Sequence, residues 1–241
     1  AIVSPTNAND SAAAGVYGDV WTDTDNGGFG FGNWSLYKSS TNVNEAGQFR
    51  ANSDQVTIGK PAWGLYANSG ALSEAKRILT NTLAVNQTLL VGYENGYLDN
   101  GAGAGVALQN SAGDTLWEFF FNGGDTNYSI SGGTTDIGWT DSGIQIEFTL
   151  SGPTSYTARI SPQGSPSRML SGHLQPNPDP AITRFRCWNN HAGSDSVRDV
   201  FFNNLQVTSP GLVLSYTTND SIVIVREAPA VLESRPDRRL A

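Results

Sequence analysis

The 241-residue sequence predicts an all-β chain: a two-sheet antiparallel β-sandwich (jelly roll) followed by a C-terminal β-hairpin or extended tail. Three observations predict it. Apolar and polar residues alternate with a period of two in many short runs, the pattern of half-buried strands. Gly, Asn, Asp and Ser cluster between those runs at roughly ten-residue spacing, which is the turn chemistry of sandwiches. Helical periodicity is nearly absent, and no internal repeat points to a propeller or β-helix.

Taken in order, Phe29 to Tyr37 is the first expected strand, built around Trp34. Gln55 to Ile58 and Ala62 to Tyr66 follow, the latter placing Trp63 and Leu65 on one face. Ala71 to Leu79, ALSEAKRIL, is rich in helix formers. It is nevertheless read as a strand, because Ala75, Arg77 and Leu79 alternate and Asn81-Thr82 cuts the run short. Thr88 to Tyr93, Val106 to Gln109, Leu116 to Phe121 and Tyr128 to Ile130 continue the series, with Asn95-Gly96 or DNGAG as turns. Gly143 to Leu150 is the clearest strand: Ile144, Ile146, Phe148 and Leu150 face inward, and Gln145, Glu147 and Thr149 face outward. Tyr156 to Ile160 pairs with it across SGPTS, and Pro162 to Pro180 reads as a proline-rich loop.

The stretch Ile182 to Val207 carries two further strands around a glycine-containing loop. Phe185 and Cys187 fall on one face of the first, and Arg184, Arg186 and Trp188 on the other. Pro210-Gly211 marks a boundary between a sandwich domain over 1–209 and an appendage over 210–241. In that appendage GLVLSY and SIVIVREA form a hairpin around Thr218-Asn219-Asp220, and the charged end is expected to fray.

The formal charge is −8, from 22 acidic against 14 basic residues. That balance excludes nucleic acid as a partner, since its backbone needs a clustered basic surface. No run reaches the ~18 apolar residues of a membrane-spanning helix. Cys187 is the single cysteine, so neither an internal disulfide nor a cysteine-based zinc site is available, and inert packing is expected for it. The chain begins at Ala1 with a polar, small-residue stretch, which reads as an exported protein, secreted or at the cell surface, whose leader has been removed.

FGFGNWSLY, the closing RDVFFNNLQV and the middle AWGLYANSG, LVGYENG and GVALQNSAGDTLWEFFF together resemble concanavalin-like and laminin-G-like jelly rolls, among them bacterial carbohydrate-binding modules. The likeness covers about Gly28 to Val207 and is at superfamily level. It implies a two-sheet sandwich of the kind often attached to secreted glycan-acting proteins. The fold alone does not establish sugar binding.

The resemblance also implies a structural Ca²⁺ joining first and last strands. Asp23, Asp25 and Asn26 in TDTDNGG, with Asp199 from the closing strand, are the candidate oxygen donors; the plainer alternative is a solvated Asp-Asn-Gly turn. Glycan recognition needs an aromatic platform beside hydrogen-bonding groups. Trp188 with Arg186 and Asn190 has that chemistry, and Tyr66, Tyr93 and Trp139 would extend a groove; Trp34, Trp63 and Trp117 read as core. A glycoside hydrolase would need two facing carboxylates, ~5–5.5 Å apart for retention and ~6.5–9.5 Å for inversion. Glu118 and Glu147 are the natural pair, as outward residues on neighbouring strands. However, outward glutamates are ordinarily surface solvation. The Glu-x-Asp-x-x-Glu run of laminarinase-like enzymes and the Arg, Gln-x-His and Tyr constellation of jelly-roll alginate lyases are both missing. The last alternative is a filament or surface-assembly subunit, in which the β-prone Ser221 to Val225 adds to the sheet of another copy of the chain.

Overall fold

The computed structural model describes residues 4–18, 21–52, 59–68, 70–210, 212–216 and 222–226. In chain order the strands are β1 (Thr6–Asp10), β2 (Phe31–Lys38), β3 (Ala46–Ala51), β4 (Ala62–Ala67), β5 (Leu72–Leu79), β6 (Thr88–Asn95), β7 (Gly103–Gln109), β8 (Thr115–Asn122) and β9 (Asn127–Ile130). They continue with β10 (Gly133–Gly138), β11 (Ile144–Leu150), β12 (Ser155–Pro162), β13 (Arg168–His173), β14 (Arg184–Asn190), β15 (Val200–Thr208), β16 (Leu212–Tyr216) and β17 (Ile222–Arg226). The only helical elements among the described residues are single 3₁₀ turns at Gly15–Tyr17 and Ser196–Arg198, and no helix is long and apolar enough to cross a membrane.

Two antiparallel sheets form the sandwich, the architecture that the concanavalin-like resemblance implies. The first runs β13-β12-β11-β6-β15-β4-β3, with β1 also on β15; the second runs β10-β9-β8-β7-β14-β5-β2. The strands of Ile182 to Val207 do not pair with each other: β14 is central in the second sheet and β15 in the first. β15 changes partner along its length, meeting β4 at Val200–Phe202 and β1 from Leu205. A bulge makes the change, with Asn204 at φ 55; an extra residue in the left-handed region re-aims the strand.

The expected alternation of β11 holds. Ile144, Ile146, Phe148 and Leu150 are all buried, and β12 pairs with it from Leu150↔Tyr156 to Ile144↔Pro162. ALSEAKRIL is a strand despite its helix formers, because β2 and β14 hydrogen-bond it on both edges. Tertiary pairing overrides local propensity there. Four strands depart from expectation. β1, β3 and β10 lie in polar or Gly/Thr-rich stretches, and β13 lies inside the supposed Pro162 to Pro180 loop. β13 and β10 are edge strands, with too little burial to leave an apolar pattern. The expected strand Gln55 to Ile58 lies outside the described residues. β16 and β17 pair with each other as a separate two-stranded sheet.

Aromatic side chains fill the core in two groups. Trp21, Trp34, Trp63 and Phe202 pack with centroids 4.9 to 6.0 Å apart, and Trp117, Phe148 and Tyr156 form the other group. Cys187 is buried at 0 % exposure, and its thiol is pushed well above the ordinary range by that burial. It is therefore an inert packing group at neutral pH.

Candidate functional site

At one end of the sandwich, three connections meet. They are the β6–β7 loop bearing Tyr97 and Leu98, the β8–β9 turn bearing Gly124, Asp125 and Thr126, and the end of β10 with Gly138 and Trp139. They enclose a cleft of about 510 Å³, floored by Leu98 and Phe121. Volume and lining match the usual small-ligand site, mostly apolar with a few polar groups.

Each part of the cleft is held by backbone bonds. Tyr97 N–H donates to Val197 O (2.9 Å), Asp99 N–H to Ala192 O (3.0 Å) and Trp139 N–H to Thr126 O (3.1 Å). The β6–β7 and β8–β9 connections touch through Gly123, where a Cβ would fall 1.8 Å from Asp99 O. Only glycine permits that approach.

The rings are supported from behind. Trp139 is 38 % exposed and packs on buried Phe121, centroids 6.3 Å apart. Tyr97 is 54 % exposed, with the Arg198 guanidinium 5.4 Å from its centroid. Arg198 is itself tied to Asp99 Oδ1 through Nε (3.0 Å) and Nη2 (2.9 Å). Covering one face of Tyr97 orients the ring and leaves the other face for a ligand. Behind the cleft, Tyr128 Oη shares its hydrogen bond between Asn95 Oδ1 (2.9 Å) and Thr140 O (3.2 Å). This links the Trp139 loop to β6.

The six expected binding residues divide among several places. Trp139 alone lines the cleft. Arg186, Trp188 and Asn190 share the outer face of the second sheet, as their alternation implies. There Arg186 Nε donates to Glu74 Oε1 (2.6 Å) and its guanidinium stands 5.3 Å from the Trp188 centroid. The Trp188 ring leans over β7, where a Cβ on Gly103 would meet it at 3.1 Å. Glu74, only 5 % exposed, would be raised by burial, but Lys76 and Arg186 hold its carboxyl below the ordinary range. Tyr66 belongs to the other sheet, where its hydroxyl donates to Val43 O. Tyr93 requires correction: it is 0 % exposed in the core and cannot line a surface groove.

Glu118 and Glu147 are also corrected as a catalytic pair. Both point outward, but β8 and β11 belong to opposite sheets. Sheets stack ~10 Å apart, so outward groups on the two lie further apart still and cannot flank one glycosidic bond. Burial raises the Glu118 carboxyl, with Arg186 partly opposing, while Glu147 lies 3.7 Å from Arg159.

The residues proposed for calcium do not fit it. Asp23 Oδ1 accepts from Leu36 N–H and Asp25 Oδ2 from Thr22 N–H, both at 2.8 Å. Asn26 Oδ1 accepts from the Arg77 guanidinium, a cation where another would have to bind. Burial pushes the Asp199 carboxyl up to about 7. Among the described residues no three His, Cys, Asp or Glu side chains converge, so Asp23, Asp25 and Asp199 form no common cage.

Tyr97, Phe121 and Asp125 were not anticipated. The legible signal was Tyr97 itself, an aromatic inside the turn-rich NGYLDNG connection with no strand face to bury it.

No family model matches the chain, and no curated protein matches it. Solved structures do resemble it. The alginate lyase from Klebsiella pneumoniae is 12 % identical, with 73 % of this chain and 95 % of that one covered at a TM-score of 0.47. A glycoside hydrolase family protein from Mycobacterium thermorestibile is 13 % identical, with 72 % and 92 % covered and a TM-score of 0.47. The exoplasmic/lumenal domain of VIP36, in a Ca²⁺/Man3GlcNAc-bound form, is 8 % identical, with 78 % and 86 % covered and a TM-score of 0.42.

Proposed function

We propose that the chain is a non-catalytic carbohydrate-binding β-sandwich of an exported protein, and that it holds a glycan in the cleft between Tyr97 and Trp139. One observation carries the reading: two exposed aromatic rings, each braced from behind, border a single cleft that also holds Asp125 and Thr126. Pyranose rings present apolar C–H faces and hydroxyl edges, so aromatic faces take the ring and the polar side chains take the edge.

Affinity electrophoresis against a panel of polysaccharides tests this. Trp139→Ala and Tyr97→Ala are each expected to weaken retention about tenfold or more, the usual effect of truncating an aromatic anchor. Gly138→Leu should act alike by filling the cleft, since a Cβ there meets nothing nearer than Asn127 Oδ1 at 4.0 Å. Trp188→Ala is the comparison. Loss of retention in that variant, with retention kept in Trp139→Ala, would move the site to the sheet face and overturn the cleft.

A second reading is self-assembly through residues 210–241. It is favoured by the β16–β17 hairpin, which pairs with neither large sheet. A lone two-stranded hairpin is marginal in water, so a partner would stabilise it. Deleting residues 210–241 is expected to shift light scattering from an oligomer to a monomer; a full-length chain that is already monomeric removes this reading.

A further inference from the structure

Resting on the cleft as the glycan site, we infer that it selects neutral and amino-bearing glycans against uronate-bearing ones, with Asp125 as the discriminating residue. A site for anionic sugars needs a cation free to pair with the carboxylate. The described lining residues include no Lys, Arg or His, and their one charged group is Asp125.

The Asp125 carboxylate is exposed and engaged on one oxygen, where Oδ2 accepts from Asn122 Nδ2 at 3.1 Å. The other oxygen is left to face a ligand hydroxyl or ammonium. Asp141, two residues beyond Trp139, is also exposed and adds negative potential on that side.

The cation against Tyr97, Arg198, is already paired with carboxylates of its own. Its Nε and Nη2 donate to Asp99 Oδ1, and Nη1 donates to Ser194 O (2.9 Å) with Asp195 Oδ2 at 3.5 Å. Its π-face lies against Tyr97. An incoming carboxylate would have to displace Asp99 from a two-nitrogen pairing to reach it. The net charge of −8 biases approach in the same direction.

Calorimetric titration of the full chain with three oligosaccharides of equal length tests this: a neutral cello-oligosaccharide, a chitosan oligosaccharide and an oligogalacturonate. At low salt the oligogalacturonate is expected to bind at least tenfold more weakly than the neutral probe, as juxtaposed like charges dictate. The gap should narrow as added salt shortens the screening length. Asp125→Lys should cut the neutral-to-uronate affinity ratio about tenfold, and Asp125→Asn should move it partway, each variant being checked for native circular dichroism. Equal binding of the uronate and neutral probes by wild type would overturn the inference, as would a ratio unchanged in both variants, while leaving the cleft as a glycan site. Failure of wild type to bind all three would overturn the glycan reading and this inference with it.

Discussion

Replacing Asp10 by Ala is expected to destabilise the fold by about 3–5 kcal/mol, the effect of removing one partner from a buried ion pair. Asp10 and Arg77 form such a pair with both side chains 0 % exposed. Arg77 sits on the core face of β5, where Nε donates to Gly32 O (2.9 Å), Nη2 donates to Asn26 Oδ1, and the guanidinium stands 4.6 Å from the Trp34 centroid. Tyr17 completes the group: its hydroxyl donates to Asp10 Oδ2 and accepts from Trp34 Nε1 and Gly27 N–H at 3.0 Å. Burial, then the bond to Asp10, pushes that phenol up to about 12. One pair thus ties β1, the Tyr17 turn and the Asp-rich loop to the second sheet. Asp10→Ala strands the guanidinium charge without water, and for a domain of this size the melting temperature should fall by roughly 10 °C. Asp10→Ala combined with Arg77→Met should cost clearly less than the sum of the two single changes. Additive losses in urea denaturation would show that the pair is not coupled.

Glu94→Gln is expected to stabilise the protein at pH 8 to 9 by about 3–5 kcal/mol, at ~1.36 kcal/mol per unit of pKa displacement, and to change little near pH 4. Glu94 is 1 % exposed and its Oε2 has no hydrogen-bond partner. Burial, and then the negative charge of Asp141, push its carboxyl from 4.5 up to about 8. The sign follows from proton binding. Between pH 4.5 and 8 the folded chain keeps a proton that the unfolded chain has released, so stability is full below 4.5 and is lost as pH rises towards 8. Asp199, raised to about 7 by burial, adds a slope of the same sign that ends lower. Denaturation curves at several pH values would check this: wild type should weaken steadily through that window and Glu94→Gln much less. A wild-type profile flat from pH 5 to 8 would show that Glu94 ionises normally. Glu94 stands three residues before Tyr97 and next to the Trp139 loop through Asp141, so the same ionisation is expected to loosen the cleft.

Much of the fold was legible because central strands must alternate. β11, β14 and β4 each place apolar groups where a sheet needs them, and the residues that share their buried faces are named from spacing alone. The edges were not legible. β13 and β10 bury little, and backbone pairing, which any residue can supply, makes them strands. β5 shows the reverse case, with Arg77 in the core and Ile78 55 % exposed. Its alternation sets Arg77 on the face of Ala75 and Leu79, yet nothing local revealed what could neutralise a charge there, because Asp10 lies 67 positions away.

The sequence by itself determined the class, the net acidic charge, the inert cysteine and the buried faces of the central strands. It also made Trp139 a candidate, as an aromatic that would extend a binding groove. Tertiary structure alone decided which sheet each strand joins. That choice sent Glu118 and Glu147 to opposite faces, put Tyr93 inside, and kept Asp199 out of any cage with Asp23 and Asp25. It also brought Tyr97, Asp125 and Trp139 together from three connections. Alternation is a property of one strand, whereas a site is a property of strands and loops far apart in the chain, and only the pairing order fixes which of them meet.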